Sequence, residues 1–162
     1  NTKMAIRKIL LETDPALRKK SRPVDKFDER LHQLLGDLAE TMHHANGVGL
    51  AAPQVGILRR VCVIDIGEGV IELVNPEIVY ESAEQIEESE GCLSSPGEYG
   101  IVPRPRKVVV KYADRNGEAK ELEAENLLAR ACCHEIDHLS GRLFKDLAIR
   151  MIDPDEDDGE EE

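Results

Sequence analysis

Apolar residues recur at helical spacing in two stretches of the chain. In residues 26–45, Phe27, Leu31, Leu34, Leu35, Leu38 and Met42 fall three and four positions apart. Asp25 is placed to cap this helix and Asn46-Gly47 to end it. In residues 127–139, Leu127, Leu128, Ala131, His134, His138 and Leu139 form one stripe, with Asn126 as N-cap and Gly141 as the stop. A short helix is predicted over residues 14–20, capped by Asp14 with Pro15 in its first position, and Arg22-Pro23 ends it.

Between the helices the pattern is that of strands. Residues 59–66 and 70–74 read as two strands joined by a turn containing Gly67 and Gly69, and Asn75-Pro76 breaks the run. Residues 77–89 read as partly strand with a charged exposed side. Pro103 and Pro105 predict a loop after the Cys92 segment. Residues 107–113 and 119–125 read as a hairpin across Asp114-Arg115-Asn116-Gly117. The sum predicts an α+β fold, with a mostly antiparallel sheet packed around the late helix and one long helix near the N-terminus.

One segment fits neither period. Gly47-Val48-Gly49-Leu50-Ala51-Ala52-Pro53-Gln54-Val55-Gly56 is too glycine-rich for a regular element and too apolar for an exposed loop. Small residues let a backbone approach another backbone or a ligand closely. Gln54 is its one side chain with hydrogen-bonding power.

Composition narrows the picture. The 162 residues suit one domain, expected over residues 4–150 with Met4 as a native start. The net charge is −12, but eight acidic residues fall within residues 153–162, which read as a disordered acidic tail. The remainder is only mildly acidic, so no nucleic-acid surface and no DNA partner are expected. No stretch is long and apolar enough to span a membrane, and no secretory leader is visible. Cys62, Cys92, Cys132 and Cys133 are therefore expected as reduced thiols in a cytosol-like compartment. His32, His43 and His44 read as surface residues of the first helix.

The chemistry concentrates in Cys133-His134-Glu135-Ile136-Asp137-His138. Two histidines four residues apart lie one helical turn apart on nearly one face, where both can hold one metal ion. Glu135 is offset around the helix and can reach a water without occupying the ion, as a general base does. The plain alternative is a pair of ordinary surface or core histidines. A third ligand is needed for a catalytic site with an open position. In the longer motif HExxHxxGxxH the last histidine would fall at Phe144, and the only glutamates after His138 lie in the acidic tail. The third ligand is thus expected upstream, with Cys92 in Glu90-Gly91-Cys92-Leu93-Ser94 as the leading candidate.

Three segments taken together resemble one family. Residues 47–56 match GxGLAAxQxG, residues 90–94 match EGCLS, and residues 134–139 match HExxHL. Their order and spacing resemble peptide deformylases, over about residues 6–147. The resemblance implies a metal-dependent hydrolase that removes the N-formyl group from the N-terminal methionine of new polypeptides and releases formate. It implies Cys92, His134 and His138 as metal ligands, Glu135 as general acid/base, and Gln54 with the backbone N–H of Leu93 as oxyanion donors. Gly47, Val48, Gly49, Leu127 and Ala131 are the candidate substrate-binding residues. The implied metal is iron(II), although a cysteine and two histidines suit zinc or another divalent ion on general grounds. The implied partners are N-formylmethionyl nascent peptides at the ribosome, in a bacterial cytoplasm or an organelle. Ser95, Tyr99, Arg130 and Cys133 depart from the common family pattern, and Cys133 is a candidate oxidation site. The competing readings are a zinc peptidase and a non-catalytic, metal-stabilised peptide-binding module.

Overall fold

The structure, a computed structural model, describes residues 5–155. The expected start at Met4 and most of the acidic tail lie outside the described residues. Instead of the helix expected over residues 14–20, the chain forms a single-turn 3-10 helix over Pro15–Arg18, with the Asp14 carboxylate accepting from Ala16 N. The first α-helix, α1, spans Glu29–His44, three residues later than expected. Asp28 rather than Asp25 caps it, its Oδ1 accepting from Leu31 N at 3.1 Å.

Residues 47–56 are more regular than their glycines suggest. They hold a short strand, β1 (Gly49–Ala51), and a 3-10 turn over Ala52–Val55. The other strands are β2 (Val61–Ile64), β3 (Ile71–Glu81), β4 (Gln85–Cys92), β5 (Ser95–Pro105), β6 (Lys107–Ala113), β7 (Ala119–Glu125) and β8 (Arg150–Met151). The second α-helix among the described residues, α2, spans Leu127–Leu139. The expected single sheet is in fact two. An antiparallel five-stranded sheet runs β1-β2-β3-β6-β7, and a three-stranded one runs β4-β5-β8.

Alternation along β2 explains how the layers assemble. Side chains of a strand point to opposite faces in turn. Val61 and Val63 pack with Leu31, Leu35, Leu38 and Met42 of α1, while Cys62 and Ile64 pack with Ala129, Cys132 and Leu139 of α2. Both faces of β2 are therefore buried, one under each helix. Leu35, Leu38 and Met42 are fully buried, and each such side chain contributes roughly 1.5–3 kcal/mol.

Two proline-containing segments correct the sequence reading. Asn75-Pro76 does not break the run; β3 continues through it as a bulge, with the register shifting between Val74 and Glu77. Asn75 takes the left-handed conformation at φ 51°, which asparagine tolerates. Its amide then exchanges two hydrogen bonds with the Val24 backbone, at 2.8 and 2.9 Å. Pro103 and Pro105 lie inside β5, not in a loop. Ile101 turns its carbonyl away from β4 toward Ile149 N, and residues two and four further on point the same way. Beside them β8 has already ended, having paired only with Gly100 and Ile101. The missing proline N–H groups therefore cost no ladder bond.

Helix α2 touches β5 of the small sheet as well as β1, β2, β3, β6 and β7 of the large one. Its ending is fixed by Gly141 at φ +78°, where an added Cβ would stand 2.6 Å from the Arg18 carbonyl oxygen. Asn126 occupies the N-cap position, but its side chain makes no capping bond.

Candidate active site

The His-Glu-x-x-His residues lie on the buried face of α2. The His134 and His138 rings sit with centroids 5.0 Å apart at 69°. Strand β4 ends at Cys92, beside the turn of residues 93–94 that leads into β5. There the Cys92 Sγ lies 3.4 Å from His138 Nε2. One donor atom from each of Cys92, His134 and His138 falls within 4.8 Å of the others.

The surroundings prepare these groups for an ion. His134 Nδ1 lies 2.5 Å from Glu90 Oε2, which leaves Nε2 to face the triad. Burial works to raise the Glu90 carboxyl, but His134 and Arg104 outweigh it and hold it down at about 2. The shared proton therefore belongs to His134 Nδ1. Burial works to lower the His134 pKa, but Glu135, Cys92 and Glu90 outweigh it and hold it well up, so a cation would displace the Nε2 proton while Glu90 keeps the Nδ1 proton and the ring orientation fixed. Burial and then the neighbouring His134 push the His138 pKa well down, keeping that ring neutral. Among the described residues, Glu135 Oε1 and His138 Nδ1 are buried with no hydrogen-bond partner. A thiol, two imidazoles and an unpartnered carboxylate oxygen fit a divalent metal ion with an open coordination position. Phe144, where a third histidine would stand in the longer motif, instead stacks on His134 at 6.2 Å.

Glu135 is 3 % exposed. Burial pushes its pKa up to about 7, with the His134 charge opposing and Glu90 adding to the rise. Its carboxylate packs against Gly49 of β1. An added Cβ there would stand 2.8 Å from the carboxyl carbon, so only glycine leaves room for the acid.

The Gln54 side chain is fully enclosed, and its orientation follows from its neighbours. Ala51 N can only donate, and it donates to Oε1 at 2.9 Å. The Nε2 end must then face the triad, where it reaches Ser94 Oγ at 3.1 Å and Cys92 Sγ at 3.5 Å.

These groups open into a groove of about 460 Å³. Gly47, Val48 and Gly49 form one wall, Leu127 and Ala131 of α2 another, and residues 89–93 and 95–99 a third. Gln54, Cys92, Leu93, His134 and Glu135 reach the groove, and His138 lies behind them. Every residue singled out from the sequence as a ligand, base, donor or pocket wall is thus brought to one place. His32, His43 and His44 are not; His32 bonds the Arg115 carbonyl and His43 pairs with Asp65.

Three charged residues behind the site, Glu90, Arg104 and Arg130, are given no role by the sequence reading. Glu90 accepts from Arg104 Nε and Nη2 at 3.0 and 2.6 Å and from Arg130 Nη1 at 2.8 Å. Arg130 also donates to the Val102 and Ile86 carbonyls, and Arg104 to Asp137. Arg130, which departs from the common family pattern, is therefore a buried brace between α2 and the small sheet. A charged residue on the apolar face of the metal helix was the available signal. Cys133, a candidate oxidation site from its sequence, is buried, and burial pushes its thiol up to about 12. That keeps it protonated and unreactive.

A Cys-His-His triad, its two histidines buried and its cysteine half-buried, beside a glutamate and an amide donor under an open groove, defines a metal-dependent hydrolase of amide bonds. Residues 6–152 match the family model of polypeptide deformylases. The chain is 58% identical over 159 residues to a peptide deformylase of Caldanaerobacter subterraneus subsp. tengcongensis, covering 98% of this chain and 99% of that one. It is 61% identical over 157 residues to one from Caldicellulosiruptor bescii, covering 94% and 92%. The fold superposes on the Thermotoga maritima peptide deformylase with a TM-score of 0.87 at 44% identity, covering 89% and 98% of the two chains. The chain belongs to the polypeptide deformylase family. It is an enzyme, and it removes the N-formyl group from N-formylmethionyl peptides.

Proposed function

We propose that Cys92, His134 and His138 ligate an iron(II) ion and that Glu135 moves the protons of formyl hydrolysis beside it. The observation that carries this reading is the convergence of the three donor atoms within 4.8 Å, next to a buried glutamate with an unpartnered oxygen. When bound there, a divalent cation supplies Lewis acidity and makes water a nucleophile near neutral pH. Zinc suits the same donors, and the choice of iron rests on the family resemblance.

The chain's own groups supply the remaining chemistry. Glu135, with a pKa raised to about 7, accepts the proton of the attacking water and returns it to the departing amine. The Gln54 amide donates to the oxygen of the formyl group as its negative charge develops, together with the backbone N–H of Leu93. A preorganised donor of this kind contributes about 3–4 kcal/mol. Gly47, Val48 and Gly49 line the chain on one side, and Leu127 with Ala131 receives the methionine side chain. The small Gly47–Gly49 wall leaves room for formyl and excludes larger acyl groups. Residues 4–150 are the catalytic domain and residues 153–162 an acidic tail. The substrate is a nascent chain at the ribosome, in a bacterial cytoplasm or an organelle. Among the described residues no helix is long and apolar enough to cross a membrane.

The test is formate release from a formyl-Met peptide by anaerobically iron-loaded protein, beside Cys92→Ala and Glu135→Ala. Loss of metal in the first variant, and loss of activity with metal retained in the second, support the assignment. An active Glu135→Ala enzyme at equal metal content would contradict it. Cleavage of unformylated peptides would favour a peptidase, and binding without turnover a binding module.

A further inference from the structure

The two groups assigned to the oxyanion come from segments far apart in the chain, and the same stretch of N-terminal backbone bonds to Gln54 and to Ser94, the residue after Leu93. Leu10 N donates to the Gln54 carbonyl at 2.7 Å, and Glu12 N donates to the Ser94 carbonyl at 2.9 Å. Ser94 is gripped a second time, because its Oγ accepts from Gln54 Nε2 at 3.1 Å. The Glu12 carboxylate extends the link, pairing with Lys145, which also pairs with Glu98 on the groove wall. The segment is anchored upstream: Arg7 N donates to Thr41 Oγ1 and its side chain pairs with Asp37, both on α1. Ile9 packs on the α1 core.

We propose that residues 10–12 are a positioning strap that sets the spacing between Gln54 and the Leu93–Ser94 turn, and so the aim of the oxyanion donors. This rests on the reading of Gln54 and Leu93 as those donors. The physical reason is that neither donor segment is part of a long regular element. Gln54 sits in a single 3-10 turn. Leu93 sits in a two-residue hairpin turn at a register shift between β4 and β5. A donor displaced by a fraction of an ångström from the developing charge loses much of its effect. The strap bonds each segment through a backbone N–H, so the contribution does not depend on which side chains residues 10 and 12 carry.

The strap can be cut at one atom. Glu12 is the second residue of a β-turn in which Asp14 N donates to the Leu11 carbonyl at 2.9 Å, a position that accepts proline. Glu12→Pro removes the N–H to Ser94, whereas Glu12→Ala keeps it and loses the same carboxylate. The measurement is kcat and KM for formyl-Met peptide hydrolysis by both variants, with metal content and thermal midpoint, beside Gln54→Ala. The strap predicts a kcat for Glu12→Pro about tenfold below that of Glu12→Ala, with KM within about twofold and equal metal content. A merely structural bond would lower the thermal midpoint without this kcat-specific loss. Replacing the residue 12 N–H with an ester oxygen repeats the test if the proline variant does not fold. Equal kcat in Glu12→Pro and Glu12→Ala, with Gln54→Ala slow, overturns the strap alone. Full activity in Gln54→Ala overturns the oxyanion reading and the strap's catalytic role with it.

Discussion

Gly49→Ala tests how closely the site is packed around its base. The added methyl would stand 2.8 Å from the Glu135 carboxyl carbon and 2.9 Å from Cγ, and nearer still to Oε2. Ordinary contacts begin near 3.4 Å, so the carboxylate must retreat by at least about 0.6 Å, and by more at Oε2, or β1 must give way. Gly49 is not in the left-handed region, so the change acts through the methyl and not through backbone strain. A base misplaced by about an ångström costs on the order of 100-fold in rate. A displacement of this size corresponds to roughly 10- to 100-fold in kcat. The three ligands are untouched, and overpacking of this kind costs about 1–3 kcal/mol of stability. Steady-state formate release with metal analysis and a urea titration separates these effects. The prediction is a large fall in kcat at unchanged metal content. A kcat within about twofold of the wild type would show that Glu135 is not held against Gly49, or that its position does not matter.

Other outcomes follow from the residues behind the site. Glu90→Gln removes the carboxylate that fixes His134, and metal competition with a chelator should show affinity about 10- to 100-fold weaker. Because Glu90 is depressed to about 2 from an ordinary value of 4.5, its contribution to stability is present above that ordinary value. It is lost as pH falls toward 2. Urea midpoints of the metal-free protein should therefore drop across that range in the wild type and less steeply in Glu90→Gln. Asp28→Ala deletes the cap of α1 and should cost about 1 kcal/mol in the urea midpoint, while Asp25→Ala should cost little.

The chemistry was more legible in the chain than the architecture. The His134–His138 spacing declared a metal site because a helix converts four residues into one turn. The lack of a usable downstream ligand then pointed upstream, toward Cys92. The hairpin over residues 107–125 was equally plain, since Asn116-Gly117 permits little else. Where local signals tie, sequence cannot choose. Asp25 and Asp28 are equally good caps, and Asp28 wins as the start of the observed helix, with Phe27 left packing on the α1 core. Pro103 and Pro105 read as loop because their harmlessness depends on where β8 stops, a fact of tertiary structure. Asn75-Pro76 read as a break because the bulge is secured by Val24, fifty-one residues away. Glu90 was quoted within a motif yet given no role, since its partners Arg104, Arg130 and His134 meet only after two sheets and a helix have assembled.

The central claim is that one ion held by Cys92, His134 and His138 drives deformylation. The most direct measurement is formate release from a formyl-Met peptide as metal-free protein is refilled anaerobically with iron(II). The account predicts activity rising in proportion to bound iron and levelling at about one ion per chain, with no rise in Cys92→Ala. Activity that ignores bound metal, or that Cys92→Ala regains in full, would contradict it.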